Sequence, residues 1–144
     1  MMPKEASMMP QPTPAPGVRH VFVYGTLRAG GRNDIARFAP LPRRVADAEV
    51  AGTLYDLGAY PGMVLGGEGR VKGEIYAIDA QVEAALDRLE EVADDDSGEY
   101  IKRWLCVQAS DGCAFDCLVY EIHPSRIEGR AVIVGGDWIA HSRR

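Results

Sequence analysis

The stretch Val21-Phe22-Val23-Tyr24-Gly25-Thr26-Leu27-Arg28-Ala29-Gly30-Gly31 sets the tightest limit on what this chain can fold into. An apolar, partly β-branched run stops at a glycine, a hydroxyl residue follows, and a glycine pair closes the stretch. The pattern predicts a buried strand that delivers backbone N–H groups and a small polar side chain to the rim of a cavity. Gly25 would let a ligand or another chain segment approach the backbone closely. The same residues also suit a plain turn at a strand end.

A length of 144 residues fits one domain with one core. The Met1–Gly17 stretch carries Pro10, Pro12, Pro14 and Pro16, which deny it regular hydrogen bonding. It reads as a disordered leader, with residues 18–144 as the folded domain. The formal net charge of −5 argues against a nucleic-acid partner, because that affinity comes from Lys and Arg neutralising phosphates. Arg143-Arg144 is too short to reverse this. No run is apolar enough for a secretory signal or a membrane span. Cys113 and Cys117 lack the further ligands of a zinc site, so no metal is expected. Cys106 and Cys117 are expected to pack in strands and Cys113 to lie near a turn, which fits a reducing cytoplasm.

The first strand is expected to run from Val18 or Arg19 to Tyr24. Asn33 should cap one or two helical turns that Pro40 and Pro42 stop. Arg43 to Tyr55 reads as a strand with a bulge or bend at Gly52. Asp56 to Gly69 reads as a loop, with Pro61-Gly62 at the centre of a type II turn. Val71 to Ile78 alternates, placing Val71, Gly73, Ile75 and Ala77 opposite Lys72, Glu74, Tyr76 and Ile78. Asp79 should cap a helix from Ala80 to about Glu91. Asp94 to Gly98 reads as a solvated acidic turn without calcium-loop spacing. Tyr100 to Val107 and Ala114 to Glu121 form a hairpin about Asp111-Gly112. Loops and a short helix near Trp138 complete the chain. Several short strands around one helix, with glycines inside strands, predict an α+β fold: a small curved sheet or barrel with a helix packed against it.

On the helix, Val82, Leu86 and Glu90 are spaced four apart and share one face, so Glu90 prolongs an apolar stripe. One reading is a solvated carboxylate where the helix leaves the core. The other is a carboxylate at a cavity edge, its pKa raised by desolvation into the range of a general base. A Glu at a helix C-terminus opposes the dipole, and Glu91, Asp94, Asp95 and Asp96 would add repulsion. His20, His123 and His141 are scattered and read as structural or exposed. Ser97 and Ser125 lack the elbow of a hydrolase nucleophile, and the glycines fit no nucleotide fingerprint, so no cofactor is expected.

Taken in order, Tyr24-Gly25-Thr26-Leu27-Arg28, Tyr60-Pro61-Gly62, Val71-Lys72-Gly73-Glu74-Ile75-Tyr76, Leu86-Asp87-Arg88-Leu89-Glu90, Tyr100, Arg103 and Gly136-Asp137-Trp138 resemble the gamma-glutamylcyclotransferase-like family. This family includes gamma-glutamylamine cyclotransferases and plant avirulence-induced (AIG2-like) relatives. The resemblance covers about Val21 to Trp138. It implies a small mixed β-barrel with peripheral helices, whose cavity binds a small-molecule gamma-glutamyl substrate and forms 5-oxoproline without a cofactor. The family's catalytic glutamate falls on Glu90, its glycine-rich binding loop on Tyr24, Gly25, Thr26 and Leu27, and a neighbour of the substrate on Tyr120. Glu91 departs from the glycine that many members carry after that glutamate. The resemblance leaves open release of a gamma-glutamyl protecting group in secondary metabolism, or a non-catalytic binding or stress-response role on the same scaffold. The leaving amine and the oligomeric state stay open.

Overall fold

The computed structural model describes residues 17–90 and 98–142. The expected leader up to residue 16, the acidic run through Ser97 and the Arg143-Arg144 end lie outside the described residues. In chain order come β1 (Val18–Val23), β2 (Arg43–Asp56), β3 (Pro61–Asp79), α1 (Ala80–Leu89), β4 (Tyr100–Gln108), β5 (Ala114–Ile122), β6 (Ala131–Val132) and α2 (Trp138–Ser142). The strands form one sheet in the order β4-β5-β1-β3-β2-β6. β1 runs parallel to β5, with His20 beside Cys117, and its pairing with β3 is antiparallel.

The sheet curls back on itself. Ala48 of β2 bridges Ala109 beyond the end of β4, and the Ser110 N–H donates to the Asp47 carbonyl at 2.9 Å. The result is a mixed half-barrel with helices at its periphery, the α+β architecture expected. Both faces are covered, which explains why residues 21–24 are continuously apolar instead of alternating. Phe22, Leu54, Met63, Val71, Ile75 and Val119 pack inside the curl. Val21, Val23, Tyr76, Ile78 and Leu118 pack on the opposite face, where α1 sets Val82 and Leu86 against them. The curl depends on Gly73: a Cβ there would stand 2.2 Å from the Val23 carbonyl oxygen and 2.7 Å from Cζ of Phe22.

Asp79 caps α1 as expected, accepting the Val82 N–H at 2.9 Å. The β4–β5 hairpin turns at Asp111-Gly112, with Gly112 at a φ of 92°. Gly52 sits at a register shift of β2.

Four expectations are corrected. Residues 56–69 are not a loop, because β3 begins at Pro61 and pairs Pro61 with Asp56 and Gly62 with Tyr55. The turn is at 57–60, closed by the Leu57 N–H to the Tyr60 carbonyl at 3.0 Å. Gly62 is there for packing, since a Cβ would meet Cβ of Ile122 at 2.6 Å. The glycines at 66, 67 and 69 lie in an excursion between the Ala51–Arg70 and Gly52–Leu65 pairs, so they mark a strand irregularity and not a connection. The short helical turn at Ile35–Arg37 is capped by Asp34, not Asn33. α1 ends at Leu89, two residues short of Glu91, with Glu90 as its C-cap. Cys106 is exposed, because it lies on the same solvent side of β4 as Trp104, which is 62% exposed; Cys117 is buried and Cys113 adjoins the turn.

Candidate active site

β1 ends at a cavity of about 190 Å³, and Tyr24, Gly25, Thr26, Leu27, Glu90 and Tyr120 all line it. Asn33, Tyr60, Glu99 and Tyr100 also line it. Successive turns fold the loop onto itself: the Arg28 N–H donates to the Gly25 carbonyl at 3.0 Å and the Gly31 N–H to the Arg28 carbonyl at 2.8 Å. The Asn33 N–H returns to the Thr26 carbonyl at 2.9 Å, and its side-chain amide donates to Thr26 Oγ1 at 3.1 Å. Among the described residues the backbone N–H groups of Thr26 and Leu27 find no acceptor. Leu27 is only 4% exposed, and unpaired donors in such a place are rare in folded proteins. Gly25 has a packing reason to lack a side chain: a Cβ would lie 2.7 Å from Cγ of Pro61.

The tyrosines frame the cavity. Tyr24 donates its hydroxyl to the Tyr120 carbonyl at 2.6 Å and accepts the Met63 N–H at 3.1 Å. Tyr100 donates to the Pro61 carbonyl at 2.6 Å. Tyr120 lines the cavity, but its hydroxyl donates to Asp87 of α1 at 2.7 Å. Lys102 Nζ meets Asp87 at 3.0 Å and also contacts Glu83, which Arg19 holds at 2.8 Å. These bonds pin α1 to the sheet and so fix where its last turn delivers Glu90.

Fully buried Val82 and Leu86 anchor the stripe that Glu90 continues, and the Glu90 N–H donates to the Leu86 carbonyl at 2.9 Å. Glu90 is partly buried against the cavity. Burial first, and the nearby Glu99 carboxylate second, push its pKa up to about 8. Glu99 itself takes the hydroxyl of Tyr60. Among the described residues Glu90 has no cationic partner.

This raised pKa has a consequence for stability. A carboxyl that titrates near 8 when folded and near 4.5 when unfolded binds more protons in the native state between those values. Its contribution is therefore fully present below pH 4.5 and lost as pH rises through 8. Wild-type protein should lose stability relative to Glu90→Gln between pH 6 and 9, by roughly 1–3 kcal/mol, less than full linkage because water reaches the cavity mouth. Denaturant unfolding of both proteins across that range measures the gap; parallel curves would contradict it.

Sequence reading missed a second charged group beside the loop. Arg28 places Nε 2.7 Å from Glu74 Oε2 and Nη1 2.8 Å from Asp137 Oδ1. Glu74 is 3% exposed and its other oxygen accepts the Ala29 N–H at 2.9 Å and the Tyr76 hydroxyl at 3.2 Å. The signal lay in the strand pattern, where Glu74 shares a face with Tyr76 and Ile78. The histidines have structural partners: His20 packs on Phe115, His123 caps the Pro124 turn, and His141 meets Asp56 at 2.9 Å.

A family model described as gamma-glutamyl cyclotransferase, AIG2-like, matches residues 21–140 of this chain. A Vibrio cholerae protein, provisionally named a gamma-glutamylcyclotransferase, is 39% identical over 120 residues, covering 82% of this chain and 93% of that one. The solution structure of YtfP from Escherichia coli is 33% identical and superposes with a TM-score of 0.58, covering 85% of this chain and 98% of the other. The crystal structure of an AIG2-like protein from Mus musculus is 29% identical, with a TM-score of 0.61 over 76% of this chain and 82% of that one.

Proposed function

The chain belongs to the gamma-glutamyl cyclotransferase, AIG2-like family, and from that premise we infer that it releases 5-oxoproline and a free amine from a gamma-glutamyl amide. The observation that carries this reading is the raised carboxyl of Glu90 facing the same cavity as the unpaired amides of Thr26 and Leu27. A gamma-glutamyl amide contains its own nucleophile, an alpha-amino group able to reach the side-chain carbonyl and close a five-membered ring. Holding that geometry supplies much of the rate, because orientation is fixed before the reaction begins.

The alpha-amino group is protonated and inert until a base takes its proton. An alpha-ammonium beside a free carboxylate is more basic than a peptide N-terminus at about 7.7–8.0. Glu90, raised to about 8, therefore takes its proton with a much smaller uphill step than an ordinary carboxylate would. The freed nitrogen lone pair then forms the bond to the side-chain carbonyl carbon. The carbonyl electron pair moves to oxygen and returns as the bond to the departing nitrogen breaks. Glu90 gives its proton to that nitrogen, and the restored carboxylate takes the second proton from the ring nitrogen as the lactam forms, passing it to the released amine or to water. The Thr26 and Leu27 amides supply donors for the alpha-carboxylate or the developing oxyanion. Tyr24 and Tyr120 act as walls, since both hydroxyls are engaged. No helix among the described residues is long and apolar enough to cross a membrane, and a reducing cytoplasm would keep the three cysteines as the free thiols seen.

The test is a panel of gamma-glutamyl amines, amino acids and dipeptides with 5-oxoproline measured by mass. Release from at least one member is expected. Silence across the panel would replace turnover with binding alone.

A further inference from the structure

Thr26 stands between two cavities. On one side is the cavity of Glu90; on the other a cleft of about 400 Å³ lies between the Gly30–Arg32 loop, the 57–60 turn and α2. The first, at about 190 Å³, is smaller than the roughly 300–1,000 Å³ that enclose a drug-sized ligand. It suits a gamma-glutamyl group, and the departing amine must project out of it. The two spaces also adjoin along the 57–60 turn, since Ala59 lines the cleft and Tyr60 the cavity.

The charges on the two sides differ. The described wall of the first cavity carries the carboxyls of Glu90 and Glu99 and no Lys, Arg or His. The cleft carries Arg32, Asp56 and His141 beside the ring of Trp138. Asp56 is already committed: one oxygen meets His141 at 2.9 Å and the other accepts the Gly58 N–H at 2.8 Å. Arg32 is exposed and, among the described residues, has no carboxylate partner. A negatively charged leaving group is thus repelled by Glu99 at the first cavity and met by a guanidinium across Thr26.

We propose that this second cleft is the subsite for the departing amine, and that Arg32 selects an amine carrying a carboxylate. The inference rests on the reading of the first cavity as the gamma-glutamyl site. Arg32 acts on specificity and takes no part in the chemistry, and the Trp138 ring gives the amine's carbon skeleton an apolar wall.

Binding separates this inference from turnover. In Glu90→Gln protein, calorimetry compares two matched pairs: gamma-glutamylalanine with gamma-glutamylethylamide, and gamma-glutamyl-γ-aminobutyrate with gamma-glutamylpropylamide. The members of each pair differ by one carboxylate. In at least one pair the acid should bind about tenfold more tightly, and Arg32→Ala should erase that preference while leaving the neutral amide's Kd unchanged. Equal affinities in both pairs, no binding of any member, or an equal loss for acid and amide in Arg32→Ala would overturn the subsite. A preserved acid preference, with wild-type protein releasing no 5-oxoproline from any member, would leave the subsite standing and remove the catalytic reading instead.

Discussion

Glu90→Gln should lower 5-oxoproline release by roughly a hundred- to ten-thousand-fold, the usual worth of a positioned general base. Glutamine keeps the size and the hydrogen-bonding reach of the side chain but cannot take a proton from an alpha-ammonium. The fold should survive, because the helix is held by Val82, Leu86 and the Asp87–Tyr120 and Asp87–Lys102 contacts rather than by Glu90. Substrate binding should change little, which puts the loss in kcat and not in KM. Steady-state kinetics on the best substrate of the panel, with circular dichroism and Tm of the same preparation, decide the matter. A variant that is folded and fully active would mean that the proton leaves by another route.

Why that carboxyl was readable from sequence, and its surroundings only in part, has physical causes. A helix repeats every 3.6 residues, so Val82, Leu86 and Glu90 declare a shared face without any knowledge of the partner. The Asp79 cap and the Asp111-Gly112 turn are local in the same sense, since each is decided within four residues. Residues 61–70 were misread because their strand character comes from pairing with β2, and only that partner shows that the glycines there sit at bulges and under Ile122. Asn33 and Asp34 are both good caps, and the choice between them is made by Thr26, whose hydroxyl engages Asn33. Cys106 looked like a packed strand residue because β4 is apolar in composition, but β4 lies at the sheet edge and its Trp104 side meets solvent. The carboxyl of Glu74 stayed hidden for the same reason as β3: its cation is 46 residues away in the chain.

That hidden pair predicts a large stability effect. Arg28→Met removes the guanidinium that spans Glu74 and Asp137 and leaves the Glu74 carboxyl, 3% exposed, without its cation. Breaking a buried pair from one side costs about 3–5 kcal/mol, because the remaining charge keeps its desolvation penalty and loses its compensation. The loss should lower Tm by about 10 °C or more. Asp137→Asn, at the more exposed end of the same guanidinium, should cost no more than about 1 kcal/mol. If the penalty comes from the stranded charge, Arg28→Met/Glu74→Met should be more stable than Arg28→Met alone, since the second substitution removes the uncompensated carboxyl. Recovery will be partial, because Glu74 also accepts the Ala29 N–H and the Tyr76 hydroxyl, and these donors would be left without it. Urea unfolding of wild type, Arg28→Met, Glu74→Met and the double variant gives the coupling directly. Additive losses would mean that Arg28 stabilises through its aliphatic stem, and that the loop carrying Thr26 and Leu27 is held in place by packing instead of by charge.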